Sequence, residues 1–261
     1  MIKNNIKLAI LAGGYGSRIS EETILKPKPL VEIGGKPIIW HIMKYYSVFG
    51  VKNFLIACGY KGHLLKEYFA NYFIHNNDIT IDIENNSINF LHKKTEPWKV
   101  TLIDTGHDTS TGGRIKKLKK YVEKDDFFLL TYGDGLSDVN INNLIRLHKK
   151  LKKIATVTSI VPKARYGSLK IKKNIVKEFN EKQDTKNTNI NGGFLVCSPD
   201  IIKFIKSDKT SLEYDTLKII SQNNQLAAYK HNGFWQSMDT LRDKNLLNAL
   251  WETNKAPWKI W

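Results

Sequence analysis

A chain of 261 residues, 41% hydrophobic and 25% charged, has the composition of a soluble globular protein. Its length suits one large α/β domain, and no apolar run is long enough to cross a membrane. Its two cysteines, Cys58 and Cys197, sit in apolar, strand-like runs and read as buried thiols, too few for a disulfide framework or a cysteine-rich metal site. The formal charge of +16 comes from 41 cationic residues, only five of them arginine, spread along the chain. It reads as a lysine-rich background rather than a nucleic-acid groove.

In chain order, "KLAIL" (7–11) predicts a buried strand that ends at Ala12-Gly13-Gly14. Pro37 to Phe49 predicts a helix: proline in the first turn, apolar residues at 38, 39, 42, 45, 46 and 49, and Gly50 as the stop. "NFLIAC" (53–58) is the next buried strand. Residues 62–73 carry Leu64, Leu65, Tyr68, Phe69 and Tyr72 on one helical stripe. This β–α–β–α order predicts a Rossmann-like, mostly parallel central sheet flanked by helices. Residues 76–100 form a β-rich excursion, with "DITIDI" and "SINFLH" as a hairpin. Strands follow near 100–104, 127–135 and 155–161, with a helix over 140–151. "GSLKI" pairs with "NIVKEF", "INGGFLVC" is a further strand, and a C-terminal helix runs from near Thr240 to about Trp251, opening an appendage over 240–261. With no repeat or long linker, residues 1–261 read as one domain. The N-terminus lacks a secretory pattern, and a cytoplasmic enzyme is expected.

Against that background the rare arginines are informative, because a planar guanidinium is preferred for gripping phosphate or carboxylate. Arg18 and Arg114 both lie in glycine-rich segments. The first, "LAGGYGSR", is neither a dinucleotide fingerprint, since Ile19 holds the last glycine position, nor a Walker A loop. Followed by "KPKP", it reads as an anion-binding concavity. Arg18 and Lys28 add charge, and Pro27 and Pro29 hold Lys28 extended. In "TYGDG", Asp134 follows a buried strand and is a candidate metal ligand rather than a hairpin turn. Asp239, in "GFWQSMDTLRD", is a second candidate ligand, and Asp239 or Thr240 equally suits the cap of the following helix. Glu181-Lys182 reads, on its own, as a solvated turn. His41 and His148 fall in helical patterns as packing or surface residues, and no nucleophile set is evident. A polyphosphate loop, two cations and two acids suit nucleotidyl transfer to a phosphate monoester, which is ionised at neutral pH and needs no general base.

"LAGGYGSR", "KPKPLVEIGGKPIIWHIM", "TGGR", "TYGDG", "INGGF" and "GFWQSMDTLRDK" together resemble the sugar-1-phosphate nucleotidylyltransferases over nearly the whole chain. "CGYKGHLLKEYFANYF", "KTEPWKVTLIDTG" and "APWKIW" place the resemblance closest to the subfamily that joins CTP to glucose 1-phosphate. It implies CTP and α-D-glucose 1-phosphate as substrates, CDP-glucose and pyrophosphate as products, Mg²⁺ as cofactor, and a part in making dideoxyhexoses for surface polysaccharide such as O-antigen. It also implies that Leu11, Ala12, Gly13, Gly14, Gly16, Ser17 and Arg18 cradle the nucleotide, with Thr109, Thr111, Arg114 and Gly133 also contacting it. Lys28 would neutralise phosphate at the reacting centre and Asp134 and Asp239 would bind Mg²⁺. Glu181, Lys182, Gly192 and Gly193 would hold the sugar phosphate. Ser17, Tyr166, Ser168, Gln183 and Ser237 depart from the usual Thr, Phe, Ala, Pro and Pro. The family also implies a homo-oligomer, hexamers among them, and the 62–73 helix, the 76–100 excursion, Trp258 and Trp261 offer candidate interface surface. Within the class UTP or dTTP is the alternative donor. Outside it stand a binding protein without turnover and, from the charge, a nucleic-acid-binding module.

Overall fold

The computed structural model describes residues 6–91, 95–162, 168–172, 175–180 and 189–261. Seven strands form one central sheet: β1 (Lys7–Ala12), β2 (Asn53–Cys58), β3 (Lys99–Asp104), β4 (Phe128–Tyr132), β5 (Ala155–Ile160), β6 (Ile190–Cys197) and β7 (Leu226–His231), in the order β7-β5-β6-β4-β1-β2-β3. Neighbours are parallel except at β6, which runs antiparallel to both β5 and β4. The sheet is therefore mixed and mostly parallel, as expected. Strand β1 shows why its sequence is a continuous apolar run. Leu8, Ile10 and Ala12 enter one hydrophobic cluster and Ala9 and Leu11 the opposite one, so both faces are covered.

Helices α1 (Ile38–Val48), α2 (Gly62–Ala70), α3 (Thr111–Lys117), α4 (Ile141–Leu151) and α5 (Leu241–Glu252) cover the sheet. The expected helix over 62–73 is interrupted: α2 ends at Ala70 and a short second helix spans Tyr72–Asn76. Asn71 closes the first by donating its N–H to Glu67 O. The hairpin pairs Ile79–Asp82 with Ser87–Phe90, and Ser168–Lys172 pairs antiparallel with Ile175–Asn180. Trp258 is not interface surface. It is fully buried in the chain's own core, stacked on Phe234 at 5.5 Å, while Trp261 stays partly exposed. Both cysteines are free and buried, and His41 and His148 are buried too.

The chain order fixes where a ligand can sit. From β1 the chain winds outward through β2 to β3, then returns to place β4 on the other side of β1. The crevice beyond the carboxyl ends of β1 and β4 is thus the topological switch point, the usual ligand position in open α/β sheets. Leu11 pairs with Tyr132 there, which brings the glycine loop after β1 beside Gly133 and Asp134. Strand β7, the segment Trp235–Ser237 and the helical turns over 199–222 were not read from the sequence. Trp235–Ser237 pairs with Gly135–Ser137, carrying Asp239 to the same crevice.

Candidate active site

A cleft of about 710 Å³ opens at the switch point, a size that suits a nucleotide-scale ligand. Leu11 to Arg18, Lys28, Thr109, Thr111, Arg114, Gly133 and Asp134 all line it, so most of the expected nucleotide-binding residues share one cavity. Gly16 adopts φ +67°, a left-handed conformation that favours glycine, and starts the turn carrying Ser17 and Arg18.

Lys28 does not sit in an extended segment. Pro27 is extended, but Lys28 opens a single 3₁₀ turn, with Leu30 N–H returning to Pro27 O at 2.8 Å and Val31 N–H to Lys28 O at 3.0 Å. The turn aims the ammonium inward. Its Nζ lies 2.6 Å from Asp134 Oδ2 and 2.7 Å from Asp239 Oδ1. Arg18 Nη2 lies 2.9 Å from the same Asp239 oxygen. Burial opposes the Lys28 charge, but the two carboxylates outweigh it and hold the lysine above its ordinary pKa. Burial likewise opposes the Asp239 charge, and Lys28, Ser237 and Arg18 outweigh it and hold that carboxyl below the usual range. Ser237 donates its hydroxyl to Asp239 Oδ2 at 2.9 Å.

The helix cap is a different residue. Thr240 is the N-cap of α5 and forms a capping box with Asp243: Asp243 N–H donates to Thr240 Oγ1 and Thr240 N–H donates to Asp243 Oδ2. Asp239 is left to pair with Lys28 and Arg18, both of which line the cleft. Two carboxylates that converge on one ammonium at the edge of the cleft form a donor set that fits Mg²⁺.

Arg114 occupies an unexpected position. It is 4% exposed and hydrogen-bonds the carbonyl oxygens of Gly13, Cys58, Gly106 and His107 and the hydroxyl of Thr105. Its guanidinium ties the carboxyl end of β2 to the loops after β1 and β3. A Cβ on Gly13 would fall 2.2 Å from its Cζ, and one on Gly59 2.3 Å from Nη1. Gly13 is therefore required by the guanidinium beside it as well as by any phosphate approach. In "TGGR", Cβ atoms on Gly112 and Gly113 would fall 2.7 Å from Thr210 O and 2.3 Å from Asp208 O, so these glycines let α3 pack against 208–210.

That contact brings in residues the sequence reading missed. Glu213 lines the cleft and accepts hydroxyl hydrogen bonds from Thr111 at 2.7 Å, Ser211 at 2.9 Å and Tyr132. Tyr15 and Asp108 also line the cleft, and the Tyr15 hydroxyl donates to Asp108 Oδ1 at 2.8 Å. "SLEYD" and "GYG" carry no motif that would mark either residue; only the docking of 207–217 on α3 makes Glu213 part of the site. Thr109 donates its hydroxyl to Thr105 O. Gly192 and Gly193 lie behind the cleft wall rather than among its lining residues; a Cβ on Gly193 would meet the Tyr132 ring at 2.6 Å. Glu181 and Lys182 lie outside the described residues.

The family model described as Nucleotidyl transferase matches residues 7–255. The chain belongs to this family. Among nucleotidyl transferases it is 53% identical over 256 residues to the glucose-1-phosphate cytidylyltransferase of Salmonella typhimurium, covering 98% of this chain and 100% of that one. A probable glucose-1-phosphate cytidylyltransferase of Bacillus subtilis is 42% identical, covering 98% of this chain and 100% of its own. HddC from Yersinia pseudotuberculosis, solved in complex with GMP-PN, superimposes with a TM-score of 0.67 at 25% identity, covering 95% of this chain and 100% of that one.

Proposed function

We propose that this nucleotidyl transferase is a glucose-1-phosphate cytidylyltransferase, which converts CTP and α-D-glucose 1-phosphate to CDP-glucose and pyrophosphate. The observation that carries the chemistry is the convergence of the glycine loop, Arg18, Lys28 and Asp134 on one cleft at the switch point, with Asp239 paired to Lys28 and Arg18 at its edge. The full-length likeness to a cytidylyltransferase supports the choice of CTP and glucose 1-phosphate.

In this reading the sugar phosphate oxygen attacks the α-phosphorus of CTP. A phosphorus–oxygen bond forms to the sugar phosphate, the bond to the β-phosphate bridging oxygen breaks, and pyrophosphate leaves with that electron pair. A phosphate monoester has a second pKa of about 6, so the nucleophile is already ionised at neutral pH. The protein supplies alignment and positive charge. Backbone N–H groups of Gly13 to Ser17 cradle the triphosphate, Arg18 and Lys28 stabilise the charge that moves to the pyrophosphate, and Arg114, Thr109 and Thr111 shape the nucleotide end. A bound Mg²⁺, held by Asp134 and Asp239, would neutralise phosphate charge at the reacting centre. Glu181, Lys182 and the Gly192-Gly193 turn belong to the sugar-phosphate end of the proposal.

Among the described residues no helix is long and apolar enough to cross a membrane, and a cytoplasmic enzyme with access to CTP is part of the reading. So is a homo-oligomer, for which the exposed Ile81, Ile83, Ile88 and Leu91 of the hairpin offer surface. The test is pyrophosphate release with Mg²⁺ and glucose 1-phosphate, comparing CTP, UTP and dTTP. Release with CTP by a wide margin is expected. Preference for UTP or dTTP would keep the chemistry and overturn the nucleotide assignment, and no release with any donor across a panel of sugar phosphates would favour a protein that only binds.

A further inference from the structure

We propose that the Lys28 ammonium holds the divalent-cation position in the nucleotide-free protein, so that the metal enters only together with the nucleotide. The inference rests on the reading that Asp134 and Asp239 are the metal ligands. Lys28 Nζ is 2.6 Å from one carboxylate and 2.7 Å from the other, so it stands where the two converge. Arg18 pairs with the same Asp239 oxygen that Lys28 uses. Two cations and two anions leave this group of four side chains with no net charge. A dication arriving alone meets no net attraction and must displace a bonded ammonium from the oxygens it needs.

A triphosphate changes both conditions. It brings several negative charges into the cleft beside Arg18 and Lys28, and its oxygens offer the ammonium new acceptors. The carboxylate oxygens released by Lys28 then become available to the ion that arrives with the phosphates. Lys28 is only 9% exposed and opens a turn bounded by Pro27 and Pro29, so the backbone stays fixed while the side chain exchanges partners. The two acids are thus kept hydrogen-bonded and together before the ligands arrive, without a resident metal.

The test is Mn²⁺ binding, followed by electron paramagnetic resonance of free Mn²⁺, to nucleotide-free wild type, Asp134→Asn, Lys28→Met, Lys28→Gln and Lys28→Met/Asp134→Asn. Removing the ammonium is expected to tighten Mn²⁺ binding by at least about tenfold, the lower end of what close charge pairs contribute. The double variant is expected to lose that gain, and Mn²⁺ is expected to raise the melting temperature of Lys28→Met but not of the wild type. Circular dichroism checks that each variant folds, and Lys28→Gln keeps a polar group should Lys28→Met not fold. If wild type without nucleotide binds Mn²⁺ as tightly as Lys28→Met, and Asp134→Asn weakens both, the place-holder role is overturned and the metal-ligand assignment stands. If no variant binds Mn²⁺, and wild type with CTP binds none beyond what CTP takes up alone, the metal-ligand assignment fails and this inference with it.

Discussion

Replacing Gly13 by alanine tests how the glycine loop is held. The new Cβ would lie 2.2 Å from Arg114 Cζ, 2.3 Å from Nη1 and 2.6 Å from Nε. A free arginine tip would swing aside at little cost, but this one is buried and bonded to five oxygens on two loops and the end of β2. Gly13 has no positive φ, so alanine meets no backbone strain, and the whole effect comes from the guanidinium. Gly13→Ala is expected to cost about 1–3 kcal/mol, as overpacking does. Arg114→Ala leaves several buried carbonyls without their donor and is expected to cost about 3–5 kcal/mol. The double variant is expected to be no less stable than Arg114→Ala alone, because the cavity left by the arginine accepts the methyl group. The coupling is then about 1–3 kcal/mol. Urea unfolding of the four proteins measures it. If the single losses simply add, to within about 0.5 kcal/mol, the guanidinium is not what forces glycine at position 13.

Asp239→Asn keeps a side chain able to bond Lys28 and Ser237, so it is expected to fold normally and to lower kcat by about a hundredfold or more, as loss of a positioned charge at a reacting centre does; unchanged turnover would remove Asp239 from the chemistry. Thr240→Ala breaks the capping box and is expected to lose about 1 kcal/mol in denaturant melts with the KM for CTP unchanged; a rise in that KM would show that the cap and the cleft cannot be separated. Burial lowers His41 and His148 each to about 4. For a base with a depressed folded pKa, stability is complete above the unfolded value of about 6.5 and falls as pH drops toward the folded value. Each histidine should therefore remove about 2 kcal/mol by pH 5. A urea midpoint that stays flat from pH 7 to pH 5 would contradict this, and His148→Asn should reduce the loss by roughly half.

Much of the fold was legible because its causes are local. The apolar runs at 7–12, 53–58 and 128–132 are buried on both faces, and that alone marks central parallel strands. The helical pattern of α4 is likewise read within a few residues. The glycine-and-cation end of the cleft was legible because "LAGGYGSR" and "KPKP" pack its backbone and cations into one stretch. Tertiary structure decided the rest, because the deciding partners are distant in sequence. Trp258 looks like an exposed tail residue until Phe234 and His41 close over it. Glu213 carries no local signal and joins the site only because Gly112 and Gly113 admit 208–210 against α3. The sequence left Asp239 as either ligand or helix cap, with Thr240 the other candidate cap, and the folded chain makes Thr240 the cap while Asp239 pairs with Lys28 and Arg18. Composition and periodicity report what each segment must bury; only the folded chain determines which carbonyls Arg114 binds and which carboxylates Lys28 stands between.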